Sequence, residues 1–324
     1  MLKGRGSGKG VLALLSFLVI LALVPLSGNA YYTSIMIVIG IHTMLTVGLC
    51  LLMGYAGQVS LGNAAFYGLG AFISAILSAT YGVSPWIALV VAAVFTGGLA
   101  YVIGFPIFRL RGNYLAMATL GFGIIVYILF VELRGLTGGP SGLSGVPYLS
   151  IGSFVFDNDF KYYYLVWVVC ILVLLLSQNI VGSRVGRALR SLYGSEEAAL
   201  SVGVDVAQYK VKVFVLSAVY ASIAGSLYAH YITFVSPQPF GFLFSVRLVV
   251  MAVVGGLASI WGAIFGTVTI TVLGEVLHEF GQLDVIVFGF ILMVVMIFMP
   301  QGVVRGLSSF YERARVRLSK GQPS

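Results

Sequence analysis

The chain has 324 residues, 60% of them apolar and 9% charged, where soluble domains carry roughly 45–50% and about 25%. With 18 Lys+Arg, 10 Asp+Glu and a mean hydropathy of +1.06, it has too little charge to wet a soluble globule of this size. A soluble enzyme, a nucleic-acid binder and a disordered tail are excluded, and an integral membrane protein remains. The net charge of +8 would suggest nucleic acid in a soluble chain, but here its origin is topological. Cys50 and Cys170 lie in apolar runs with no metal-type neighbours and read as small core residues.

Residues 1–10 form a basic, Gly-rich tail. Gly4-Arg5-Gly6-Ser7-Gly8-Lys9 only faintly resembles a phosphate loop, because Gly10 stands where Ser or Thr would hold magnesium. The apolar run Val11–Ser27 reads as an uncleaved anchor. With the basic residues before it and Gly28-Asn29-Ala30 after it, it also fits a signal peptide, whose cleavage would change no later span. Further runs of spanning length are Thr33–Met53, Pro85–Phe108, Asn113–Val131, Tyr162–Ile180, Val211–Phe234 and Asp284–Pro300. Ser60–Thr80 is Gly- and Ala-rich. Phe244–Glu275 is long enough for two short spans turning near Ser259. The expectation is an all-α polytopic membrane protein with about ten transmembrane helices (8–10), its transmembrane domain covering 11–300 and a basic tail covering 301–324. With the N-terminus inside and ten crossings, 15 of the 18 Lys and Arg are cytoplasmic and only Arg134, Lys161 and Arg247 lie outside. That asymmetry is what cytoplasmic loops show, and it places both termini in the cytoplasm.

Charge at mid-membrane is expensive and usually functional. His42 is the one ionisable residue well inside a predicted span; helix packing is its plainer role and a solute path its sharper one. No HExxH, Cys-x-x-Cys, GxSxG or paired intramembrane carboxylates occur. No enzyme chemistry, metal or cofactor is therefore expected, and if ATP drives the protein another chain binds it.

Three segments carry information. Gly54–Ala71 holds five glycines within 17 residues at membrane depth. Glycine permits close helix approach, or a break whose freed backbone groups line a cavity. Gln58, Ser60 and Asn63 would supply uncharged hydrogen-bonding groups there, so tight packing and the wall of a translocation path are both open readings. The basic cytoplasmic loop 181–212 contains Ser195-Glu196-Glu197-Ala198-Ala199-Leu200-Ser201-Val202-Gly203. Ser195 is an N-cap, Glu196 and Glu197 suit the positive end of a helix dipole, and Gly203 suits termination. So short a helix is marginal alone and needs something to pack on, a partner protein or its own chain. Leu136–Pro147 is a Gly/Pro/Ser/Thr loop on the outer side, a gate or a plain connector.

Glu197-Ala198-Ala199 followed by Gly203 resembles the EAA-x3-G signature of the membrane subunits of bacterial ATP-binding-cassette importers. Gly54–Ala71, Leu110-Arg111-Gly112-Asn113-Tyr114 with Thr119-Leu120, Thr137–Pro147, Val185–Arg190, Val254-Gly255-Gly256 with Gly266, and Pro300-Gln301-Gly302 resemble the permeases of branched-chain amino acid importers, in the order of the M-type permease. Arg247 and Ala258 depart from the pattern. The resemblance implies a type II importer fold in the bacterial inner membrane. It also implies a homologous permease partner, two cytoplasmic ATPase subunits that hold ATP and magnesium, and a periplasmic amino-acid-binding protein. Ser195, Glu196, Glu197, Ala198, Ala199 and Gly203 would form the coupling helix. A urea or short-amide importer permease, and a self-contained channel or secondary carrier, are the alternatives.

Overall fold

The computed structural model describes residues 29–278 except 111 and 153, together with residues 25, 287, 289, 290 and 293. Both basic tails, the predicted first span Val11–Ser27 and the predicted last span Asp284–Pro300 lie wholly or largely outside the described residues.

Helix α1 (Ala30–Leu49) starts at Asn29, whose side chain accepts from the Tyr31 N–H at 3.0 Å. It passes into a π-helical turn, Cys50–Tyr55, and residues 56–62 leave the helix altogether. Next come α2 (Asn63–Ala79), α3 (Pro85–Ile107) and α4 (Asn113–Glu132). Pro85 opens α3, where a missing N–H is harmless. The segment 133–158 then holds the one-turn α5 (Arg134–Thr137) and strands β1 (Leu143–Ser144), β2 (Ser150–Ile151) and β3 (Phe154–Val155). Helices α6 (Asp159–Gly182), α7 (Arg184–Gly194), α8 (Glu196–Ser201) and α9 (Val206–Ile232) follow. Strand β4 (Phe234–Val235) pairs antiparallel with β1, Leu143 opposite Val235. Helices α10 (Phe242–Gly255) and α11 (Ile260–His278) complete the described chain.

Six described helical stretches are long and apolar enough to cross a membrane: Ala30–Tyr55, Pro85–Ile107, Asn113–Glu132, Asp159–Gly182, Val206–Ile232 and Ile260–Leu277. Two shorter apolar helices, α2 and α10, stand among them. The 14 residues of α10 reach about 21 Å at 1.5 Å per residue, less than the roughly 30 Å hydrocarbon core. The chain is thus a helical, multi-pass membrane protein. The irregularity anticipated within Phe244–Glu275 is a turn at 256–259, close to Ser259. Gly255 there packs on Gly262, and Gly266 on the Met251 carbonyl, so α10 and α11 form an antiparallel hairpin.

Helix α9 is central, with one face buried along its whole length. It runs parallel to α2 at backbone contact: a methyl added at Gly70 would overlap the Ser222 backbone, and one at Gly225 the Tyr67 carbonyl. In lipid, where helices gain nothing by leaving water, such close approach is the main source of association. Helices α3, α4 and α6 are peripheral and present exposed apolar rows, among them Val94, Phe95, Ile125, Ile128, Val168 and Leu172. Cys50 and Cys170 are both free and buried.

Candidate translocation and coupling site

The break after α1 leaves backbone groups to be satisfied at membrane depth, where water is unavailable. Helix α2 starts beside α9, with Asn63 Nδ2 donating to Ser217 Oγ at 3.3 Å. Ser217 lies well inside α9, which begins at Val206, roughly 16 Å along its axis. The N–H groups orphaned at the start of α2 go to hydroxyls on three elements. Leu61 donates to Thr119 Oγ1 of α4 at 3.1 Å, Gly62 to Ser60 Oγ at 3.5 Å, and Ala64 to Ser245 Oγ of α10 at 3.3 Å. Ser60, Asn63, Thr119, Ser217 and Ser245 are all buried. Asn63 Oδ1 has no hydrogen-bond partner among the described residues. The result is an uncharged polar patch where α2, α4, α9 and α10 meet.

Gln58 points the other way. Its Nε2 donates to the Ala56 carbonyl at 3.0 Å and to Glu196 Oε1 at 3.4 Å. Glu196 also pairs with Lys210 Nζ at 2.5 Å, the Lys210 side chain being 3% exposed and that of Glu196 25%. Gly54 packs on the Leu257 carbonyl, Tyr55 donates to the Ala258 carbonyl at 2.9 Å, and Gly57, at φ +68°, abuts Tyr193 of α7. The start of the break is therefore clasped between α7–α8 and the α10–α11 turn.

Helix α8 is built as its sequence suggests. Ser195 Oγ accepts from the Ala198 N–H at 3.2 Å, and both acids lie in the first turn. Gly203 takes φ +82°, a left-handed conformation that suits glycine, and the Val204 N–H bonds back to the Ala199 carbonyl at 3.0 Å. Glu197, Ala198 and Leu200 are exposed, while Ala199 is 1% exposed. Of the six residues expected to couple, Ser195, Glu197, Ala198 and Gly203 are thus exposed. Ala199 and Glu196 face their own chain.

His42 is not part of the polar patch. It lines a cavity of about 630 Å³ with Tyr67, Gln238 and Arg247. Its ring lies 5.1 Å from that of Phe244, and Tyr67 stacks on Phe244 at 5.4 Å and meets Phe240 edge-on at 5.0 Å. An aromatic layer thus separates His42 from Asn63. A second histidine, His230, ties the segment 133–158 to the bundle. The Pro147 carbonyl lies 2.7 Å from its Nδ1 and only accepts, which places a proton there, and Ser74 Oγ lies 2.9 Å from Nε2. At the exposed start of α6 Lys161 donates to Asp157 at 2.8 Å and lowers that carboxyl from its ordinary value.

The sequence singled out Thr119 within a motif but passed over Ser217, Ser245 and Lys210. Ser217 belongs to a run of small residues in α9, including Ala218, Ala221, Ser222, Gly225 and Ser226, whose helical spacing marks a packing face. Lys210 was counted only as a loop cation.

Residues 31–300 match the family model described as the branched-chain amino acid transport system permease component. The chain is 31% identical to the high-affinity branched-chain amino acid transport system permease protein LivM of Salmonella typhimurium, over 97% of this chain and 78% of that protein. It is 31% identical to LivM of Escherichia coli, over 82% and 68% respectively. It is also 29% identical to LivH of Salmonella typhimurium, over 43% and 46%. These relatives are transport subunits, not enzymes. Match and identity extend across the polar break, α8 and both hairpin helices, and the chain belongs to the family of branched-chain amino acid transport permeases.

Proposed function

We propose that this chain is the M-type permease subunit of an ATP-driven importer that moves branched-chain amino acids inward across the bacterial inner membrane. The two spans predicted outside the described residues bring the eight apolar helices to ten crossings, with both termini cytoplasmic and a type II importer architecture. A homologous permease completes the pathway, two cytoplasmic ATPases hold ATP and magnesium, and a periplasmic binding protein delivers the solute. The chain itself carries no cofactor.

In this reading the partner ATPase grips α8 through Glu197 and Ala198. Glu196 passes the displacement to Gln58 on the break and to Lys210 on α9. Ser60, Asn63, Ser217 and Ser245 offer the amino acid weak, uncharged contacts, and the aromatic layer of Tyr67, Phe240 and Phe244 bars the outer mouth. The observation that carries the reading is the joining of α8 to the glycine-rich break through Glu196 and Gln58.

The experiment is reconstitution with the partner permease, ATPases and binding protein. Cysteine at Ala198 should cross-link to an ATPase subunit, and cysteine at Ala199 should not. Leucine should compete for uptake where urea and short amides do not. A complex that transports normally while position 198 never captures an ATPase would sink the coupling assignment, and uptake blocked by urea would sink the solute.

A further inference from the structure

We propose that the inner ends of α3 and α9 form a binding site for an anionic phospholipid headgroup. A second cavity, of about 440 Å³, lies there, lined by Tyr101, Phe105, Phe108 and Arg109 of α3 and its end, and by Gln208 and Lys212 of α9. It is of the size ligand pockets have. Two of its lining groups, Arg109 and Lys212, are basic, and neither is in a salt bridge among the described residues. Both are oriented nonetheless. The Arg109 guanidinium carbon sits 5.2 Å from the Phe105 ring centre. Lys212 Nζ donates to Gln208 Oε1 at 3.3 Å and lies 5.5 Å from the Tyr209 ring centre. The nearest acid in sequence, Asp205, is occupied as the cap of α9, accepting from the Gln208 N–H at 3.0 Å.

The remaining wall is apolar and faces outward: Tyr101 is 62% and Phe105 60% exposed, and the row continues along α3 through Val102, Phe95 and Val94. A soluble anion would be held by the cations and would find nothing to do with that wall. An amphiphile uses both, with its phosphodiester on Arg109 and Lys212 and its acyl chains along α3. Tyrosine belongs at that level of a bilayer, and basic pockets between spanning helices on the cytoplasmic side suit acidic headgroups. Lys210 is one residue from Tyr209 but turns to Glu196, so a lipid in this groove would brace the first turns of the same helix that receives α8. The proposal rests on the inner-side placement of Arg109 and Lys212, but its test does not depend on transport.

The test is native mass spectrometry of the full chain released from nanodiscs containing phosphatidylglycerol or only phosphatidylcholine. Wild type should retain phosphatidylglycerol, and R109Q/K212Q should retain it about 25-fold more weakly, about fivefold for each cation near an acidic surface. R109K/K212R should keep most of the retention, and K161Q, on the outer surface, all of it. Both charge-removing changes are at exposed positions, and an unchanged melting temperature would confirm that the fold is intact. Equal retention by wild type and R109Q/K212Q would overturn the proposal. So would equal competition by inorganic phosphate, which would make the site one for a free anion. Loss of the lipid on assembly with the ATPase subunits would also overturn it, assigning the groove to a protein contact.

Discussion

Lys210 and Glu196 form an ion pair whose two members differ sharply in their access to water, 3% against 25% side-chain exposure, and that difference makes their single substitutions unequal. E196Q removes the carboxylate and leaves an ammonium group in a dry pocket. Stranding one member of a fully buried pair costs 3–5 kcal/mol. Discounted for the wetter side of this one, about 2 kcal/mol is expected. K210M removes the buried charge, fills its volume with an apolar chain and leaves Glu196 able to reach solvent, so less than about 1 kcal/mol is expected. The double variant E196Q/K210M should resemble K210M, because its buried charge is gone as well. The double-mutant cycle should therefore show a coupling of about 2 kcal/mol, the cost of E196Q alone. Equilibrium unfolding of the purified chain in mixed micelles measures all four species. Equal costs for the two single changes, or additive behaviour in the double variant, would refute the reasoning. It would mean that Lys210 escapes to water along its own stem.

The α2–α9 crossing gives a sharp contrast. G70A should destabilise by about 1–3 kcal/mol through overpacking, whereas G98A, with open space around it, should be neutral or stabilising by up to about 1 kcal/mol; a tolerated G70A would mean the two backbones are not in contact. G203V imposes a branched side chain on φ +82°, a strain of about 1–2 kcal/mol, and should uncouple ATP hydrolysis from uptake in the reconstituted importer; transport at the wild-type ratio of ATP to solute would count against it. Hydrogen exchange during turnover should quicken at Leu61, Gly62 and Ala64 while the middle of α2 and α9 stays protected, and uniform behaviour would remove the break as the moving part. The Asp157 carboxyl, lowered by Lys161, supports the segment 133–158 above the unfolded carboxylate's value near pH 4 and loses that support as pH falls through its own lower value. Limited proteolysis of that segment should accordingly depend on acid pH in the wild type and less in D157N.

Much of this was legible in advance, and the unevenness has a physical cause. Helix α8 could be read because a short helix carries its own terminators, Ser195 at one end and Gly203 at the other. The α10–α11 turn could be read because Gly255-Gly256 interrupts an apolar run too long for one span. The break at 56–62 showed as glycine density, but its partners did not. Hydroxyls in membrane helices commonly bond to their own backbone one turn back, as Thr43 does to Ile39 and Ser78 to Ser74, so nothing in the sequence distinguishes Ser217 or Ser245 as groups that reach across. The Gln58–Glu196 contact joins residues 138 apart in the chain, one read as lining a path and the other as facing a partner. Lys210 looked like any loop cation because burial of a charge depends on what lies opposite it, here Glu196.

The contacts around the break sort into two mechanical kinds. Between α2 and α9 the packing is backbone on backbone at Gly70 and Gly225, with no room to slide, so those two helices behave as one body. At Leu61 and Ala64 the contacts to neighbouring helices are single hydrogen bonds to side-chain hydroxyls, such bonds averaging about 0.6 kcal/mol between membrane helices and being replaceable by another hydroxyl within reach. Glu196 is joined to both kinds, to α9 through Lys210 and to the break through Gln58. A displacement of α8 would therefore carry α9 and α2 together and be taken up where the hydroxyl contacts to α4 and α10 are exchanged, which is also where an amino acid would find its polar groups. A nearly chargeless bundle can move in this way because no intramembrane ion pair has to be broken among those contacts. The one pair involved joins α9 to the exposed helix α8.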